Sequence, residues 1–292
     1  MRRARLGGLL AVLSLLITAC GGAIVERDVP YDDRFGQQTV MNLYLPGEGG
    51  AGRPGVMLIH GGGWRNGGRF HMRDLARRLA RTGYVAANIE YRLAPEHPYP
   101  AAAQDSLCAL AFFRAEAGRL GLDPDRVAVL GYSAGGHLAA LIGVAPDLPG
   151  IQPDCAAGGT PAPAAVIGGA GVYDFDTDLT RDTFIVPNFM GGSIEELPEA
   201  WAEASPINHV EAGEPPFLMV AGTTDPLLGQ QRSMLSALRA AGNDARLLVV
   251  PGSGHSTGPG AGFTDRAVEQ SVETPEAILA IFDFLAETVG AP

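Results

Sequence analysis

Basic residues are in short supply in this 292-residue chain: 21 Lys and Arg face 32 Asp and Glu, for a formal net charge of −11 and an isoelectric point near 5.0. That balance excludes the basic patches that nucleic-acid phosphates reward, so no nucleic-acid partner is expected. There is no H-E-x-x-H pair, and no Gly-rich nucleotide fingerprint follows the first strand, so neither a metal nor a cofactor is expected. Internal repeats and low-complexity blocks are absent. The apolar stretch Leu6 to Thr18 is too short for an ordinary spanning helix. Cysteine is limited to three positions, Cys20, Cys108 and Cys155. What is present is globular in composition, with 46% apolar and 18% charged residues. The length suits one large α/β domain with an ample core.

Strand-like runs occur at Val40 to Leu45, Val56 to Ile59, Val85 to Tyr91, Val127 to Leu130, Ala165 to Gly168, Phe217 to Ala221 and Leu247 to Val250, after a first strand that begins near Ile24. Helix-like segments alternate with them at Phe70 to Arg81, Ala101 to Arg119, Gly135 to Val144, Leu227 to Ala241 and Pro275 to Thr288. Such alternation predicts a mostly parallel central sheet with helices on both faces. One insert breaks it. Tyr173 to Asn208, after the sixth strand, carries Phe175, Phe184, Phe189, Met190 and Trp201 among prolines and glycines. These side chains either wall a ligand site as a partial lid or pack the insert onto the domain.

The pentapeptide Gly131-Tyr132-Ser133-Ala134-Gly135 sits between an apolar run and a helix start. A sharp strand-to-helix turn of this kind lifts a serine hydroxyl above a sheet edge, and small flanking residues let the backbone close up. Upstream, a buried-strand pattern runs into His60-Gly61-Gly62-Gly63-Trp64. Glycines there let amide groups turn inward to hold an oxyanion, and the residue after the serine would add its own N–H. Downstream, Phe217 to Ala221 leads to Asp225, and Leu247 to Val250 leads to His255. A serine hydroxyl is a weak nucleophile, so an imidazole must take its proton and a carboxylate must orient the imidazole. Of the six histidines, His71, His97 and His209 have no apolar strand directly before them, whereas His255 lies on a flexible loop after one; His60 is expected to pin the glycine loop, and His137 to face solvent or a neighbouring loop. Asp174 is the alternative acid, with a turn or capping role the simpler assignment. Glu96 to Pro100 is expected to brace the glycine loop, and Asp105 either to sit on a helix face, the simpler assignment, or to partner that brace.

The order Ser133, Asp225, His255 is that of α/β-hydrolases. HGGGW, the stretch from Tyr91 to Asp105, Asp123 to Leu141, Ala204 to Val210 and Pro215 to His255 resemble bacterial carboxylesterases related to feruloyl and acetyl-xylan esterases, neighbours of the hormone-sensitive-lipase group. The resemblance spans roughly residues 37 to 290. It implies the α/β-hydrolase fold and an esterase with Ser133 as nucleophile, Asp225 as acid, His255 as base and Gly62, Gly63 and Ala134 amides as oxyanion hole. The substrate implied is a small-molecule or polysaccharide-linked ester, with small acyl groups favoured by the modest insert. Two features depart from the hormone-sensitive-lipase pattern: too few residues precede the first strand to form a helical cap, and Tyr132 stands where that group has Asp. The glycine loop is also similar to that of arylformamidases, so an amide substrate or a peptide is an alternative. A non-catalytic surface binding protein is a further one, although such proteins typically lose the serine or the histidine.

Residues 1–19 read as an export signal, with a basic start and an apolar stretch. Ile17 to Gly21 resembles the lipobox of bacterial lipoproteins, which implies cleavage before Cys20, acylation of that cysteine and a lipid-anchored position in the cell envelope. Residues 20–23 would then be the tether and 24–292 the hydrolase domain. With Cys20 acylated, Cys108 and Cys155 remain, and an oxidising compartment favours a disulfide between them over two buried thiols.

Overall fold

The computed structural model describes residues 22–181, 183–255 and 273–292. The expected signal segment and Cys20 therefore lie outside the described residues. Eight strands form one sheet: β1 (Ala23–Pro30), β2 (Val40–Pro46), β3 (Arg53–Ile59), β4 (Val85–Ile89), β5 (Leu122–Tyr132), β6 (Ala165–Gly169), β7 (Phe217–Gly222) and β8 (Ala245–Val250), in the order β1-β2-β4-β3-β5-β6-β7-β8. At one edge β1 pairs with β2, and β2 with β4, antiparallel, and every other pairing is parallel. The central strands β4, β6 and β7 are buried along their whole lengths. Helices cover both faces of parallel strands, which is why these runs read as continuously apolar.

The helices are α1 (Arg73–Arg81), α2 (Ala101–Ala115), α3 (Ala117–Leu120), α4 (Ala134–Val144), α5 (Asp178–Arg181), α6 (Ile185–Met190), α7 (Pro198–Ala204), α8 (Leu228–Ala240) and α9 (Pro275–Thr288). Phe113 of α2, Leu141 of α4 and Leu238 of α8 join the core on one face of the sheet. Leu79 of α1 and Phe284 of α9 join the core on the other. α9 begins where its sequence says it should: Thr274 caps the amide of Ala277 and Pro275 occupies the first turn. The predicted helix over Ala101 to Arg119 is instead two helices meeting at Glu116, two residues before the poor helix former Gly118. β4 stops at Ile89, short of the expected Tyr91, because its parallel partner β3 ends at the same level and turns into the glycine loop.

The insert folds as α5 to α7. Phe175, Phe189, Met190 and Trp201 are buried. They pack inward around the tryptophan of the glycine loop: Phe189 stacks on Trp64 with centroids 4.5 Å apart, and Phe175 meets Trp201 at 6.2 Å. Of the five large residues expected as a possible ligand wall, only Phe184 faces out, 69% exposed. Burial of apolar area outcompetes lining a cleft for the other four. Cys108 of α2 and Cys155 are joined in a disulfide with Cα atoms 6.3 Å apart. This bond fastens the segment after α4 to the core.

Candidate active site

Ser133 closes β5 and caps α4 with φ 54° and ψ −117°, a conformation that L residues other than glycine rarely adopt. Its backbone is held on both sides, since its amide donates to Gly169 O at 2.7 Å and its carbonyl accepts from His137 N at 3.0 Å. The glycines around it are there for space. A Cβ at Gly131 would lie 1.9 Å from Gly135 O, and one at Gly135 would lie 2.1 Å from Ile59 O.

The serine hydroxyl donates to His255 Nε2 at 2.9 Å. The other ring nitrogen, Nδ1, donates to Asp225, 3.1 Å from Oδ2 and 3.2 Å from Oδ1. The Asp225 side chain is fully buried and that of His255 is 32% exposed. Asp225 also accepts from Leu227 N at 2.8 Å. Two threonines align the loops that carry this pair. Thr224 bonds Ser253 O through its amide at 3.0 Å and its hydroxyl at 2.9 Å. Thr223 Oγ1 accepts from Gly252 N at 2.9 Å. From the serine side, the Tyr132 hydroxyl donates to the His255 carbonyl. That bond gives the tyrosine a positioning role that its place in the motif did not suggest.

The glycine loop runs directly past the serine: a Cβ at Gly61 would sit 3.1 Å from Ser133 Cβ and 2.8 Å from Tyr132 O. Gly62 has φ +124° and Gly63 φ +60°, the region that favours glycine. The Gly62 carbonyl turns back into the loop, where it accepts from Arg65 N and Asn66 N. Among the described residues, the amides of Gly62 and Gly63 have no acceptor. Ala134, the first residue of α4, has no carbonyl one turn back to bond. These three N–H groups are thus without an acceptor among the described residues, as donors reserved for an oxyanion would have to be.

What holds the loop was only partly foreseen. His60 pins it as expected, with Nδ1 donating to Gly61 O at 2.7 Å and the ring stacked on Tyr91 at 4.3 Å. Tyr91 donates to His60 O at 3.0 Å. Glu90 was not singled out from sequence, yet its carboxylate lies 3.3 Å from His60 Nε2 and 2.9 Å from Arg69 Nε. Burial pushes the Glu90 carboxyl up, but the hydrogen bonds and charges of His60 and Arg69 outweigh it and hold it below the ordinary range. Ala94 N bonds Trp64 O at 2.9 Å. The expected brace at Glu96 to Pro100 serves the insert instead: Tyr99 N donates to Phe189 O and Tyr99 Oη to Glu203.

Of the two places expected for His137, the structure shows the neighbouring loop and not solvent. His137 is fully buried, accepting from Trp64 Nε1 at 3.1 Å on Nδ1 and donating from Nε2 to Ala204 O at 2.7 Å. It therefore ties the glycine loop to the insert. Burial lowers its pKa to about 4, which keeps the ring neutral, as one acceptor and one donor nitrogen require. Asp105 is also buried rather than set on an open helix face, paired with Arg92 at 2.7 Å. The alternative acid Asp174 accepts from Asp176 N at 2.9 Å, a turn role. Of the remaining histidines, His97 packs edge-on to Phe35 and His209 bonds Glu203 O at 2.8 Å. His71 packs beside Phe70 and His60.

Comparison with known proteins agrees with this fold. The BD-FAE family profile matches residues 41–238. Carboxylesterase NlhH of Mycobacterium tuberculosis is 31% identical over 267 residues, covering 84% of this chain and 83% of its own length. Esterase LipC of the same organism is 35% identical over 211 residues, covering 69% of this chain and 52% of its own. The chain spans about half the length of the first curated relatives it matches. Among solved structures, a propionate-bound esterase of Thermogutta terrifontis superposes with a TM-score of 0.72 at 25% identity, over 93% of this chain and 96% of that one. A truncated carbohydrate esterase from gut microbiota does so at 0.77 and 22% identity, over 91% and 96%, a likeness of fold. With its eight-stranded sheet and a family match covering most of the sequence, this chain belongs to the BD-FAE family of α/β-hydrolase-fold proteins.

Proposed function

We propose that the protein is a serine carboxylesterase in which Ser133, His255 and Asp225 form the catalytic relay and the amides of Gly62, Gly63 and Ala134 form the oxyanion hole. The observation that carries the reading is the continuous hydrogen-bonded path from Ser133 Oγ through the imidazole to a buried carboxylate. Ser133 Oγ attacks the ester carbonyl carbon as its proton passes to His255 Nε2. The carbonyl oxygen becomes an oxyanion held by the three amides, while Asp225 steadies the imidazolium. Collapse breaks the ester C–O bond, and His255 returns the proton to the departing alcohol oxygen. A water then gives its proton to His255 and attacks the acyl-serine; the carboxylic acid leaves and Ser133 regains its hydrogen. The net change is ester plus water to acid plus alcohol.

The acyl groups favoured are short. The insert's aromatics other than Phe184 are buried in packing, with Phe189 stacked on Trp64, and Ile185 Cγ2 would lie 3.1 Å from a Cβ at Gly63, which narrows the space at the glycine loop. The Thermogutta relative with propionate bound is in keeping with this. Hydrolysis of p-nitrophenyl acetate or butyrate should exceed that of esters of about C12 and longer, whose preference would oppose the reading. An exported, lipid-anchored position on Cys20 belongs to the same proposal, supported by a disulfide suited to an oxidising compartment; incorporation of labelled palmitate should vanish in Cys20→Ser.

The deciding experiment is labelling with a fluorophosphonate. Folded wild-type protein should be labelled at Ser133, and Ser133→Ala should not be. A folded wild type that takes no label would instead mark a non-catalytic binding protein. Replacing Ser133 or His255 should each lower turnover by several orders of magnitude, and replacing both hardly more, because they act as one unit.

A further inference from the structure

Beside the glycine loop lies a cation that the catalytic relay does not use. Arg65 follows Trp64 directly, and its Cγ would be 4.0 Å from a Cβ at Gly63. Its guanidinium carbon lies 5.1 Å from the ring centroid of Phe184, the one aromatic of the insert that faces solvent. Ile185, next in the chain, touches the same glycine. Arg65, Phe184 and Ile185 thus cluster at Gly63 of the glycine loop, the loop that runs past Ser133 at Gly61.

Among the described residues nothing compensates the cation. Arg34, Arg69 and Arg92 each meet a carboxylate within 3 Å, whereas among the described residues no carboxylate pairs with Arg65. Its contact is with an aromatic face, which holds a guanidinium in place without neutralising it. In a chain of net charge −11, a positive group beside the glycine loop attracts anions to a place the rest of the surface repels them. The planar fork of arginine suits a carboxylate, which it can bind through two parallel hydrogen bonds.

We propose that Arg65, presented by Phe184, is a specificity-determining residue that selects esters bearing a carboxylate on the part of the substrate lying along the glycine loop. This rests on the serine-esterase reading and deepens it: the preferred substrates are half-esters or esters of acidic compounds, with neutral esters poorer. A neutral ester leaves the guanidinium facing only ring and water.

The test compares two matched pairs of substrates. On the acyl side, the mono-p-nitrophenyl ester of glutaric acid is set against p-nitrophenyl butyrate; on the alcohol side, 4-carboxyphenyl acetate is set against phenyl acetate. The ratio of kcat/KM, acidic over neutral, is measured for wild type, Arg65→Gln and Arg65→Lys. In one of the two pairs the ratio should fall about tenfold in Arg65→Gln, chiefly through KM. It should fall by less in Arg65→Lys, which keeps the charge but loses the fork, and in wild type it should shrink at high salt. The pair that responds tells which side of the ester reaches Arg65. If Arg65 merely clasps the insert to the loop, both members of each pair decline together and the ratios stay put, which overturns the proposal. Ratios identical in all three proteins overturn it as well. A folded wild type that hydrolyses none of the four esters overturns the esterase reading and this inference with it, whereas hydrolysis with unchanged ratios overturns this inference alone.

Discussion

Replacing His137 by leucine should destabilise the protein near neutral pH and, at the same time, make it less sensitive to acid. The imidazole has two buried partners, the indole N–H of Trp64 and the carbonyl of Ala204. Leucine leaves both unpaired, and each orphaned buried group costs roughly 1–3 kcal/mol. The acid term has the opposite sign. Burial holds the folded pKa at about 4, against roughly 6.5 for an unfolded histidine. The unfolded chain therefore binds a proton that the folded one refuses, and wild-type stability present above the unfolded value is lost as pH falls toward the folded one. Between about pH 7.5 and pH 5 this single residue withdraws about 2 kcal/mol, approaching about 3 kcal/mol by pH 4. Urea unfolding at the two pH values gives the measurement. Both proteins share every other titrating group, so the wild type should lose about 2 kcal/mol more than His137→Leu across that interval. Equal losses in the two proteins would refute the assignment of a neutral, doubly bonded imidazole. A second readout follows from position: the variant removes the hydrogen-bonded link from Trp64 to Ala204 of the insert and leaves only ring packing to hold the glycine loop there, so turnover on a small ester should fall even at neutral pH in folded protein.

Other perturbations have equally definite outcomes. Replacing Cys108 and Cys155 by serine opens a loop of 47 residues and should lower unfolding stability by about 4 kcal/mol, read by urea titration without reductant. Asp105→Asn strands the Arg92 guanidinium beside a neutral amide and should cost about 3–5 kcal/mol, whereas Asp105→Leu combined with Arg92→Met should cost markedly less, a contrast visible in melting temperature. Gly61→Ala drives a methyl to 3.1 Å from Ser133 Cβ and 2.8 Å from Tyr132 O; esterase turnover should drop by about 10²-fold or more as the loop amides shift off the oxyanion, with KM less affected.

Most of the scaffold was legible because parallel strands covered on both faces are written as apolar runs, and those runs end where the chemistry begins. Ser133, Asp225 and His255 each follow such a run, so their convergence could be read from chain order. The errors share one cause. α4 is apolar all round and every one of its residues is buried, so its single histidine had no polar face to occupy. The lack of a polar stripe was the signal that His137 is interior. α2 is nearly as apolar, and Asp105 within it needed the same inference. Glu90 and Tyr132 act through partners far away in sequence, and no local pattern announces a hydrogen bond across the sheet. The insert's aromatics were ambiguous for a different reason: a phenyl ring that packs and one that lines a cleft look alike until neighbours such as Trp64 are known.

The twisted backbone at Ser133 has a consequence for anyone wishing to harden this protein against heat. A residue kept at φ 54° spends folding energy, on the order of 1 kcal/mol or more, that glycine would not. The proposed nucleophile thus sits at a spot where robustness and turnover pull in opposite directions. Screens that reward thermal endurance alone would drift toward a sturdier but silent molecule there, while any gain compatible with activity must come from elsewhere in the chain.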